Sequence, residues 1–226
     1  MKPSADAPIQ TPASYKPYAF ALLWLALIAQ AVWMLLNHFS LHQSWSSMSY
    51  PLTYAAPFLF LAVTNGRTRW IASLLRLPVA AAFLDAVADR LGFLGLHGTP
   101  GVAWGDFTHF IAYTATINPF MPRATIPSLA VLATIGEITF GICLLLGIRL
   151  RIAATGGAVL LFLFGTAMTI SGFSQFSYGV YLMAAGTLGL STVDASLFSV
   201  DAILRREKRE SRPQQLTLNE TTQPEN

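Results

Sequence analysis

The chain is predicted to be an all-α polytopic membrane protein, a bundle of transmembrane helices with six spans. Three observations predict this. Charge is scarce: of 226 residues, 54% are hydrophobic and 11% charged, against about 25% charged in an average soluble domain. Charge is also unevenly spread, with no Lys, Arg, Asp or Glu between Lys16 and Arg67 or between Arg151 and Asp194. A span takes about 20 residues, so each gap holds two spans and a turn. Third, the basic residues collect in short connections and at the chain ends. Membrane topology therefore explains the formal charge of +3, and no nucleic-acid partner is implied. The one cysteine, Cys143, lies inside an apolar run, which rules out an intrachain disulfide or thiolate cluster and reads as a small core residue.

Residues 1–17 are rich in Pro, Ser and Ala without apolar periodicity and read as a disordered cytoplasmic tail. Residues 18–66 hold an N-terminal pair of spans. Tyr18–Leu36 is longer than a signal-peptide core and no small-residue cleavage site follows it; Met48–Asn65 is weaker, with Pro57 inside. The stretch 67–203 holds four further spans. Its first span is Leu77–Leu96, starting near Trp70 or at Pro78, where proline suits a first helical turn and otherwise kinks the helix. The outer loop 97–125 is broken by glycine and proline, yet its middle, Phe107–Ile117, is aromatic and apolar, which suits an interfacial or re-entrant helix. Ile126–Ile148, Ile152–Gly172 and Tyr178–Val200 complete the spans. Residues 204–226 are a basic then polar cytoplasmic tail.

Six spans put both termini on one side. Twelve of the 14 basic residues, all but Arg90 and Arg123, then fall on that side, which the positive-inside rule makes the cytoplasm of an inner (plasma) membrane. Trp33, Trp45, Trp104 and Tyr178 near the outer ends, with Tyr18 and Trp70 near the inner ends, fit aromatic belts.

The candidate site is polar and intramembrane: Asp85, Asp89, Arg90 and Glu137. An ionisable group in lipid costs roughly 2.5–3.5 kcal/mol unless it meets a partner or water, so these residues should face other helices. Asp85 and Asp89 are four apart and share a face, and Arg90 is long enough to reach round. Counted from outer ends near 96 and 126, Asp85 and Glu137 lie about 16 Å deep and Asp89 and Arg90 about 9–11 Å, which makes Asp85 and Glu137 neighbours. Ala130, Ala133, Thr134 and Gly141 share the face of Glu137 and let another helix approach. Two uses fit this cluster. In one, a carboxyl exchanges a proton with a quinol-like ligand; in the other, Arg90 pairs with a carboxylate and fixes helix register. Trp104, Asp106 and His109 are the candidate outer cap. The four histidines map to the outer side without metal-ligand spacing, and no metal is predicted. The loop glycines lack the Gly-Lys-Ser/Thr of a phosphate loop.

Arg76 opening an apolar helix, Asp89-Arg90-Leu-Gly92 at its far end, Trp104-Gly105-Asp106, Glu137, and Leu146-Gly147-Ile-Arg149 together resemble the DoxX-like membrane proteins over roughly Leu74–Val193. Where many relatives carry glycine then lysine near the end of the first core helix, this sequence has Ala88-Asp89-Arg90. The resemblance implies a four-helix core and an accessory or quinone-facing role in a membrane redox complex. No catalytic residue is assigned. Haem-ligand, iron–sulfur and dinucleotide patterns are absent from the sequence, so the chain is at most an oxidoreductase subunit whose redox cofactor sits on a partner protein, with quinone or quinol as the implied ligand. A small proton-coupled transporter and a non-catalytic membrane scaffold are the alternatives; the broken helices in corresponding halves that mark transporters are not evident.

Overall fold

Apolar runs become helices, and glycine, proline and side-chain hydrogen bonds decide where they stop. The structure is a computed structural model describing residues 14–40, 42 and 49–204, apart from the side chains of 49–53 and 174–176. It contains α1 (Lys16–Ser40), α2 (Ser49–Val63), α3 (Arg69–Arg90), α4 (Phe107–Ile117), a 3₁₀ turn (Arg123–Thr125), α5 (Ile126–Leu146), α6 (Leu150–Ile170) and α7 (Ser174–Ser191). No strand occurs among the described residues. Four helices, α1, α3, α5 with its 3₁₀ lead-in, and α6, are long and apolar enough to cross a membrane. At about 1.5 Å per residue, α2 with 15 residues and α7 with 18 are shorter. Of the expected tails, 1–13 and 205–226 lie outside the described residues, as does Trp45; Lys16 already belongs to α1.

Two helices differ most from expectation. The span expected over Leu77–Leu96 is a helix from Arg69 to Arg90 with Pro78 inside it. It ends early because Gly92 takes φ +81°, while Phe93 N–H donates to Ala88 O (2.9 Å) and Gly92 N–H to Asp89 O (2.9 Å). That pair of bonds is the Schellman stop, in which a left-handed glycine satisfies the last free carbonyls. The helix expected over Tyr178–Val200 runs instead from Ser174 to Ser191. Asp194 accepts from the Ser196 backbone N–H (3.1 Å) and hydroxyl (2.6 Å), a local side-chain turn that competes with helix.

One end of the bundle gathers most of the described basic residues. Lys16 Nζ donates to Asn65 O (3.0 Å), Tyr15 meets Ser191 (3.2 Å), Arg69 pairs with Asp194 (2.7 Å), and Arg149 N–H donates to Asp201 (2.8 Å). Arg76, buried, donates from Nη2 to Phe198 O (2.7 Å) and fills the space a side chain on Gly147 would need. Its cation thus sits at the C-terminal end of α5, where the helix dipole is negative. Deeper in, α3 lies at the centre of the apolar core, where Val79, Ala80 and Phe83 pack with Phe58, Leu144 and Leu182. Gly141 of α5 lets Leu84 and Phe83 approach so closely that an added Cβ would stand 3.0–3.2 Å from them. These contacts make α3 and α5 an antiparallel pair, with Arg76 beside Gly147 and Leu84 beside Gly141.

Candidate functional site

At the other end, the last turn of α3 organises the loop that follows it. Asp89 is buried, and its two carboxylate oxygens accept three successive backbone N–H groups, from Ala103 (2.7 Å), Trp104 (3.1 Å) and Gly105 (2.8 Å). Charge-assisted bonds to consecutive amides fix a loop in one conformation. The chain crosses itself there: Gly105 has φ +71°, and a Cβ on it would overlap the backbone N of His97.

Arg90, 1% exposed, turns back along α3 and is enclosed. Nε donates to Ala86 O (3.0 Å) and Nη1 to Thr134 Oγ1 (3.0 Å), while Nη2 lies 2.8 Å from Glu137 Oε2. That last contact is an ion pair whose alignment falls short of a hydrogen bond. The guanidinium also sits over the ring of Phe110 (3.7 Å to centroid) and beside Trp104 (5.1 Å), with cation–π attraction from both. One arginine therefore joins α3, α4, α5 and the loop. Glu137 is held on the face expected of it, with Ala130, Ala133, Thr134 and Gly141 all buried.

The cap residues are near one another but do different things. Trp104 packs edge-on to Phe110 (5.1 Å) and tilted to Tyr113 (5.5 Å), closing over Arg90. Asp106 is the N-cap of α4, accepting from His109 N–H (2.9 Å) with its second oxygen 2.8 Å from His109 Nδ1. The backbone N–H and then the imidazole of His109 hold its carboxyl below the usual range. His109 stacks on His97 at 3.9 Å, bringing together two histidines that the sequence left in one loop without contact. Among the described residues, no three His, Cys, Asp or Glu side chains form a metal-binding group.

Comparison with protein-family models, curated proteins and solved structures returns no match.

Asp85 does not join the cluster. It is exposed while Glu137 is 5% exposed, and Glu137 takes Arg90 instead. The count from an outer end near 96 does not hold, because α3 ends at Arg90; in register the two are nevertheless close, since with Leu84 at Gly141 Asp85 lies within about one helical turn of Glu137. Shared depth did not make them neighbours, because the buried face of α3 passes through Val79, Phe83, Val87 and Arg90 and leaves Asp85 outside. Phe110 and Thr134 are partners that the sequence reading missed. Their signal was present, since a buried arginine needs acceptors and aromatic faces at its own depth.

Proposed function

We propose that this chain is a DoxX-like multi-pass protein of the inner membrane, acting as an accessory, quinone-facing subunit of a membrane redox complex whose cofactor sits on a partner protein. In this reading α1, α2, α3, α5, α6 and α7 cross the bilayer and both termini are cytoplasmic. The observation that carries it is the convergence of the residues behind the resemblance. Arg76 meets Gly147 at one end; at the other, Asp89, Arg90, Trp104, Gly105 and Glu137 form one connected cluster.

In this reading the cluster serves as an anchor, holding the loop after α3 and locking α3 to α5. The quinone-facing part rests on a second place, an apolar groove of about 450 Å³ between α1, α6 and α7, bordered by Leu25, Ala29, Val159, Phe162 and Tyr181. Its apolar walls suit an isoprenoid tail lying among lipid chains. The test is purification from native membranes in mild detergent, with extraction and quantification of bound quinone and identification of co-purifying redox proteins. Stoichiometric quinone that is lost when Ala29→Trp fills the groove supports the reading. The chain alone with ordinary lipids removes it in favour of transport or scaffolding, which vesicle uptake assays separate.

A further inference from the structure

Asp85 stands on the outside of the bundle, five residues before α3 ends at Arg90. It belongs to a row on α3, Trp70, Leu74, Leu77, Ala81 and Asp85, that is exposed from end to end, and Asp85 has no hydrogen-bonding or charged partner among the described residues. Counting from Arg76, which marks the inner end of α5, Asp85 lies about 14 Å along α3. A carboxylate facing lipid tails there has neither water nor a donor.

We propose that this face of α3 docks a transmembrane helix of a different membrane protein, one that places a Lys, Arg or His side chain opposite Asp85. This deepens the accessory-subunit reading and rests on it. Charge decides the occupant. The cation nearest in sequence, Arg90, is already enclosed with Glu137 and Thr134. The exposed basic residues and histidines among those described, Arg67, Arg69, Arg123, Arg149, Arg151, His42, His97 and His109, lie in loops, turns and at helix ends, so a second copy docked face to face would set Asp85 against Asp85. Ala81, one turn from Asp85 on the same row, is small enough for a helix backbone to come close, and a cation at that depth finds its counter-charge only by docking.

The test uses the full chain in its native membranes, with a photo-crosslinking amino acid in place of Ala81 and, for comparison, in place of Leu132 on the exposed side of α5. Irradiation at position 81, and not at 132, should give an adduct to another protein's transmembrane segment that contains Lys, Arg or His. Adding Asp85→Leu should abolish that adduct. This change puts an apolar side chain at an exposed apolar site, so helical circular dichroism and a monodisperse elution should be retained. Adducts to the chain's own peptides, lipid adducts alone, a partner segment without a basic residue, or an adduct unchanged by Asp85→Leu each overturn the proposal. A cation-bearing partner helix from a protein without a redox cofactor leaves this inference standing and removes the redox reading.

Discussion

Replacing Asp89 by asparagine should release the loop between α3 and α4 while leaving the helices in place. The carboxylate accepts three N–H groups, at 2.7, 3.1 and 2.8 Å, and bonds to a charged acceptor contribute about 1.5–3 kcal/mol each. Asparagine keeps one oxygen. In its best orientation that oxygen stays with Trp104 and Gly105 and the bonds fall to neutral strength, while the amide nitrogen meets the Ala103 N–H, donor against donor. The expected cost is about 3 kcal/mol, roughly a hundredfold in the opening equilibrium of the loop. Hydrogen exchange by mass spectrometry in lipid nanodiscs reads it directly, on peptides covering 97–106 against peptides from α5 and α6. The loop peptides should lose protection and the helical ones keep it, because the helix bonds of α3 end in the Gly92 stop and do not pass through the Asp89 side chain. Loop exchange within about twofold of the parent chain would refute the argument that these three bonds hold the loop.

The Arg90–Glu137 pair should behave as a coupled unit. Glu137→Ala leaves a buried guanidinium without its counter-charge, at a cost of about 3–5 kcal/mol, and adding Arg90→Met should recover at least about 1 kcal/mol; additive unfolding energies in a double-mutant cycle would mean that the two do not interact. At Asp106 the sign is that of a depressed carboxyl: its capping contribution is complete above the ordinary aspartate range near 4 and is lost as pH falls through the lower folded value. Protection of the His109 amide, its exchange rate compared with the intrinsic rate at each pH, should therefore be steady from neutral pH to about 5 and fall in acid, and Asp106→Asn, still a good N-cap, should remove that acid step; an acid step of the same size in the variant would place its origin elsewhere.

Much of the fold was legible because long apolar runs become helices, four of them long and apolar enough to cross a membrane. The fourth expected helix, Phe107–Ile117, matches α4 at both ends, since Asp106 is a side-chain cap just before an apolar face and Asn118 with Pro119 stops it. The end of α3 comes earlier than hydropathy predicts. Leu91-Gly-Phe-Leu-Gly-Leu is apolar enough to extend a span, but Gly92 is positioned for a Schellman stop, a signal that hydropathy does not carry. In the structure Leu91, Phe93 and Leu96 are exposed, so the apolar run continues after the helix has ended. The Asp89 bonds were not legible at all, because they depend on a loop crossing that brings Gly105 against His97.

The two aspartates of α3 show what one-dimensional reasoning can and cannot reach. Depth follows from the rise per residue, so counting placed Asp85 level with Glu137 and the antiparallel register agrees. Facing follows from rotation, and four residues at about 100° each leave Asp85 and Asp89 only about 40° apart. The edge of the buried face falls inside that interval: Asp89 is 5% exposed and bound to the loop, and Asp85 is outside. Whether 40° matters depends on what α4, α5 and the loop cover, which no count along α3 contains. Two carboxylates that look equivalent in sequence therefore take opposite duties, one closing the molecule on itself and the other left for whatever packs against it.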